Sequence, residues 1–81
     1  MDMSSTELYN LLRKKIGVKP IKMKDLAAKC GIVDEGEPVG ANNAARMRVQ
    51  LKKLSEAGLI VIDGERATTT YRKKKQSKTK A

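Results

Sequence analysis

Aromatic rings are almost missing from this sequence: 81 residues include two tyrosines, no phenylalanine and no tryptophan. A core must therefore be assembled from Leu, Ile, Val, Met and Ala, and a hydrophobic content of 40% suffices for one small domain. Histidine is absent, which removes the side chain most used for proton transfer near neutral pH. The single cysteine, Cys30, excludes an internal disulfide and a thiolate metal centre. It lies on an apolar helical face and reads as a small core residue, because nothing in the sequence identifies a partner that would activate the thiol. No apolar run approaches the length of a membrane span, and "MDMSSTELYN" is too polar and acidic for a secretory signal. The expected location is cytoplasmic, on the nucleoid in a bacterial cell, with no membrane partner.

Acids are scarce as well, and unevenly so. Lys and Arg number 18 against 9 Asp and Glu, a formal net charge of +9. The last ten residues, "RKKKQSKTKA", hold six of the cations and no acid, so residues 1–71 carry only +3. A charge segregated in this way points to a polyanion partner for the tail, with a purely solubilising role as the bland alternative. From Arg72 onward the composition is low-complexity, and disorder in isolation is expected.

What is present is helical periodicity with clear stops. "SSTELYNLLRKKIG" opens with Ser4 three residues before Glu7, a capping-box spacing. Leu8, Leu11, Leu12 and Ile16 follow at helical intervals, predicting a first helix over about residues 5–16 with Gly17 as its stop. "VKPI" is extended, since Pro20 biases its predecessor away from helix. "KMKDLAAKCGI" predicts a short second helix with Met23, Leu26, Ala27 and Cys30 as its apolar stripe and Gly31 in a left-handed terminal position. "VDEGEPVGA" is a loop of about nine residues carrying Asp34, Glu35 and Glu37. The third helix starts near Ala41 or Asn42, where an asparagine can cap, and ends at Gly58. Its core face is Met47, Leu51 and Leu54, with Ala44 beside them. "LIVI" and "ERATTTYR" read as two strands joined at Asp63-Gly64, a two-residue hairpin signal.

The order helix, extended piece, helix, helix, hairpin resembles the winged helix-turn-helix DNA-binding domains. "IKMKDLAAKCGI" is similar to their strand-to-second-helix segment. "MRVQLKKLSEAGLIVI" resembles the Leu-x-x-Leu-x-x-x-Gly-Leu run from their recognition helix into the first wing strand. The likeness covers roughly residues 5–72. It implies a mainly α protein with a small β-hairpin: a three-helix winged helix-turn-helix domain over 1–72, then a basic disordered C-terminal tail over 73–81. Two features depart from the pattern, the long acidic connection between the second and third helices and the short wing turn.

With the core face set, the opposite face of the third helix shows Asn42, Ala45, Arg46, Val49, Lys52 and Lys53, with Asn43 in the first turn and Arg48 on the flank. These types suit base edges and phosphates. Arg pairs with guanine, Asn with adenine, small apolar groups meet the thymine methyl, and Lys meets phosphate. Residues 41–53 hold four cations and no acid. Arg46 is the expected base reader, and both it and Lys52 are expected to be solvated. On the second strand, Arg66, Thr68, Thr70 and Arg72 share one face for backbone contacts, followed by Lys73, Lys74 and Lys75. The reading is a DNA-binding protein with double-stranded DNA as partner, a transcriptional regulator or mobile-element accessory factor, working as a homodimer or cooperatively. The alternatives are an RNA or ribonucleoprotein component, with Tyr9 and Tyr71 as the only aromatics for stacking, and a protein-interaction module using the acidic loop 34–37. No enzymatic function, cofactor or metal is expected. The glycines at 31, 36 and 40 flank acids, the wrong sign for phosphate, and the acids do not match a calcium loop.

Overall fold

Residues 3–65 and 68–74 are described in the computed structural model of the chain. Helix α1 (Ser5–Lys15) begins as its spacing demands. The Ser4 N–H donates to Glu7 Oε1 at 3.0 Å and the Glu7 N–H donates to Ser4 Oγ at 3.1 Å. These reciprocal bonds satisfy two donors that the first helical turn leaves open. Held by Ser4, the exposed Glu7 carboxyl titrates below its ordinary value. Three cations, Arg13, Lys14 and Lys15, occupy the last turn, where the helix dipole favours them. The stop differs from expectation. Gly17 is not in a left-handed conformation; the helix ends because Ile16 turns extended (φ −75°, ψ 124°) and drops its side chain into the core.

Helix α2 (Met23–Lys29) and helix α3 (Ala41–Glu56) both end in a Schellman motif. After α2, the Gly31 N–H donates to Ala28 O at 3.1 Å and the Ile32 N–H to Ala27 O at 2.9 Å, with Gly31 at φ 76°. After α3, Gly58 (φ 77°) donates to Ser55 O at 3.0 Å and Leu59 to Leu54 O at 3.0 Å. Glycine suits both positions because a Cβ is disfavoured there. At the start of α3 the expected asparagine cap does not occur. Gly40 is the N-cap, at φ 86° and ψ 152°, a region essentially closed to other residues. Asn43 instead turns back, its Nδ2 donating to Val39 O at 3.1 Å.

Strands β1 (Ile60–Asp63) and β2 (Thr70–Lys73) pair antiparallel, with Ile62 opposite Tyr71 and Asp63 opposite Thr70. The connection is therefore residues 64–69, not a two-residue turn at Asp63-Gly64. A two-residue turn would set Ile62 opposite Glu65 and leave Tyr71 past the end of the sheet. Instead Gly64 (φ 83°) bends the chain out of β1 and Thr68 closes the loop. Thr68 Oγ1 accepts from the Glu65 N–H at 3.1 Å and donates to Glu65 O at 2.8 Å. A third segment joins the sheet: Ile21 and Tyr71 exchange backbone bonds of 2.8 and 2.9 Å, so "VKPI" is extended as expected.

The core is the meeting of the apolar stripes. Leu8 and Leu12 of α1, with Ile16 just beyond its end, face Met47, Leu51 and Leu54 of α3, and Leu26 and Ala27 of α2 close one side. Ile60 and Tyr71 bring the hairpin against them. Burial of each large aliphatic side chain contributes roughly 1.5–3 kcal/mol, which a sheet of two short strands cannot supply by itself. Two buried residues extend the expected set: Gln50, 5% exposed beside Met47 and Leu54, and Tyr71, also 5% exposed. The architecture is mainly α with a small β-hairpin. No helix among the described residues is long and apolar enough to cross a membrane.

Adding a Cβ at Gly64 drives it into the Thr68 carbonyl, whereas Gly36 has open space around it. Gly36→Ala should cost no more than the roughly 1–2 kcal/mol of a left-handed residue, and Gly64→Ala clearly more. Equal urea midpoints would contradict the loop geometry. The capping box should also be pH-dependent. Because the folded Glu7 carboxyl is held low, its contribution is present above the ordinary glutamate range and is lost as pH falls through the depressed value. Glu7→Ala should be less stable than wild type at neutral pH, with the gap closing in acid. A gap that persists at about pH 2 in urea titrations would remove the ionised carboxylate from the account.

Candidate functional site

Helix α3 buries Met47, Gln50, Leu51 and Leu54, and this fixes what it shows to solvent. Asn42, Ala45, Arg48, Val49, Lys52 and Lys53 are all exposed along its outer side. Val49 is 51% exposed, a large apolar side chain left in water among cations. No acid stands on this side until Glu56 in the last turn.

Two members of the expected set lie elsewhere. Asn43 is half-buried and its amide is bonded to Val39. Arg46, expected to be solvated, is half-buried, and its guanidinium donates to the carbonyl of Met3. The reason is angular: on a helix, residues 46 and 48 are about 200° apart around the axis. With Met47 inward they take opposite flanks, and the chain entering α1 runs past the Arg46 side. Arg48 takes the flank that faces the hairpin.

That flank forms the wall of a half-open groove of about 860 Å³. Its apolar surface is Met23, Leu51, Ile62 and Tyr71; its cations are Lys22, Lys24, Arg48 and Lys52. Among the described residues, no carboxylate lines it. Lys22 and Lys24 do not stand out as site residues in the sequence, where they are only the polar side of a short helix. They lie more than twenty residues from Arg48, so no local spacing could have linked them. Burial pushes the Tyr71 phenol above its ordinary value, and the nearby Arg48 charge partly opposes this.

The hairpin supplies less than expected. Thr70 and Arg72 do share a strand face, but Thr68 is off the strand, in the loop, with its hydroxyl bonded to Glu65. Arg66 lies outside the described residues. Arg72 Nε lies 3.3 Å from Asp63 Oδ2, a partly exposed pair worth no more than about 1 kcal/mol. Lys73 is the last residue of β2, its N–H donating to Gly17 O at 2.6 Å, and Lys74 donates to Leu59 O at 3.0 Å. Lys73 and Lys74, placed in the tail by the expected boundary at 72, are thus bonded to the domain; Lys75 and the rest of the tail lie outside the described residues.

Asp34, Glu35 and Glu37 are exposed, as expected of a surface loop. Glu35 shares a shallow depression with Lys24, Asp25 and Lys29 of α2. The described residues contain no group of three or more His, Cys, Asp or Glu able to hold a metal ion. Cys30 is half-buried at the end of α2, and burial raises its thiol against the pull of Lys15 and Lys29, which makes it a poorer nucleophile.

Comparison with models of known protein families, with curated proteins and with solved structures gave no match. The functional reading of this surface rests on its chemistry.

The two arginines should separate cleanly. Arg46→Ala removes a charged donor from a half-buried carbonyl and should cost roughly 1–3 kcal/mol in urea unfolding. Arg48→Ala, on the exposed flank, should stay within about 0.5 kcal/mol of wild type. The reverse order would mean that α3 is rotated about its axis, with Arg48 and not Arg46 tied into the fold.

Proposed function

We propose that this chain is a small winged helix-turn-helix DNA-binding protein, a transcriptional regulator or an accessory factor of a mobile element. One observation carries the reading: a single outer side of α3 joins Arg48, Lys52 and Lys53 to Asn42, Ala45 and Val49, with no acid before Glu56. Lys22 and Lys24 extend this positive surface across the groove from α2. A solvated helix normally mixes charge signs along its outer face; here the one acid, Glu56, stands in the last turn.

In this reading α3 enters the major groove. Arg48 replaces Arg46 as the main base reader, since Arg46 is turned toward the start of α1. Asn42 suits adenine, and Ala45 and Val49 suit the thymine methyl. Lys22, Lys24, Lys52 and Lys53 hold phosphates, and the hairpin acts as the wing, with Thr70, Lys73 and Lys74 along the backbone. Arg72 joins them only by leaving Asp63. Two facts favour duplex DNA over single-stranded nucleic acid or an RNA helix. Tyr71 is 5% exposed and Tyr9 half-buried, so neither offers an open ring for base stacking. The RNA major groove is too narrow to be read by a helix. One reading helix gives limited affinity, so the protein binds paired half-sites as a dimer or cooperatively.

Selection of binding sites from random duplexes, followed by anisotropy titrations against salt, tests this. Arg48→Ala should relax preference at one position, by roughly 1–3 kcal/mol. The double change Lys22→Ala/Lys24→Ala should weaken all sequences evenly and flatten the salt slope by about 0.9 per lost phosphate contact. Recovery of no enriched sequence by the wild type, together with salt-insensitive binding, would sink the proposal.

A further inference from the structure

The groove between α2, α3 and the hairpin has more apolar surface than a phosphate backbone can use. Phosphates engage its rim, Lys22, Lys24, Arg48 and Lys52, and leave Ile62 and the half-buried Met23 open above the buried Leu51 and Tyr71. A volume of about 860 Å³ lies in the range of small-molecule sites, which pair an apolar lining with a few polar groups that fix orientation. Among the described residues the lining has four cations and no acid, so the matching ligand is an anion with an apolar body.

The chain's own segments do not meet that description. Residues 75–81 contain Lys75, Lys78 and Lys80 and no acid, the wrong sign for this rim. The acidic loop of a second copy has the right charge but lacks an apolar partner for the floor, because Val33 and Val39 are half-buried against their own core. A small molecule that carries both features remains.

We propose that this groove binds a free medium-chain carboxylate, with its chain along Met23 and Ile62 over the buried Leu51 and Tyr71 and its carboxylate among Arg48 and the neighbouring lysines, and that binding displaces DNA. The site itself stands on the groove; the displacement rests on the DNA-binding reading. The two compete because Arg48 and Lys52 belong to both surfaces. Neutralising the rim by a carboxylate removes cations that phosphates need, and the ligand chain fills the space between α3 and the hairpin.

The probe is decanoate, below its micelle concentration, titrated into the full chain by calorimetry and by amide chemical shifts. One saturable site is expected, with the largest shifts at Met23, Leu51, Ile62 and Tyr71. Each buried methylene is worth up to about fourfold in affinity, so hexanoate should bind at least tenfold more weakly. Decanol, lacking the charge, should also be at least tenfold weaker. Ile62 is 38% exposed, so Ile62→Gln should leave the circular dichroism spectrum and DNA binding intact while lowering decanoate affinity about tenfold. Lys22→Ala/Lys24→Ala, both at exposed positions, should weaken decanoate and leave decanol unchanged. Unsaturable binding, shifts away from the groove, or equal affinity for decanol would overturn the site. Tighter binding of the peptide "IVDEGEPVGA" than of decanoate would reassign the groove to a second copy's loop. Saturating decanoate that leaves wild-type DNA affinity unchanged would overturn the displacement. Saturable decanoate binding by a chain that ignores duplex DNA would uphold the site and refute the DNA reading alone.

Discussion

Tyr71 is the residue on which the arrangement of the other elements depends. Its backbone pairs on one side with Ile62 of β1 and on the other with Ile21, and its ring is buried against the helices. Because it is tied on both sides, the register of the hairpin cannot slide: a one-residue slip would carry the ring to the opposite face and expose it. The same ties bring the extended piece before α2 to the sheet, which places Lys22 and Lys24 opposite Arg48. In a chain with two aromatic rings, burying one of them at this junction links the sheet, the core and the groove.

The charge pattern of the surface follows from that packing. Once Met47, Leu51 and Leu54 face α1 and the hairpin, the remaining positions of α3 have no choice of side. The cations then fall into two groups that act differently. Arg46 is used within the fold, holding the start of the chain. Arg48, Lys52 and Lys53 stay in water, where their mutual repulsion is relieved by any polyanion that approaches. The acids of loop 34–37 meet this field only at its α2 edge, where Glu35 shares a depression with Lys24 and Lys29.

Under the two proposals, one set of side chains would serve two ligands. Helix α3 carries cations at its edge, and the hairpin packed beside it leaves apolar surface at the seam. A ligand with both characters can occupy the seam and neutralise the edge in the same event. Such coupling needs no distant conformational change, since the shared residues are themselves the link.

The three helices, the glycine stops of α2 and α3 and the core stripe of α3 were legible in the sequence because each depends on residues three or four apart, or on one left-handed position such as Gly31 or Gly58. The Ser4–Glu7 cap was legible for the same reason. The start of α3 was not, because Gly40 and Asn43 answer to the path of the loop before them. The hairpin signal at Asp63-Gly64 was overruled by the pairing of Tyr71 with Ile21, fifty residues away in the chain. The different roles of Arg46 and Arg48, and the convergence of Lys22 and Lys24 on the α3 flank, were likewise decided only by tertiary structure. By itself the sequence determined which segments are helical and which of their faces are apolar, since those depend on local geometry. Which flank of α3 meets the chain's start and which meets the hairpin depended on contacts between distant segments, and periodicity along one helix carries no information about its neighbours.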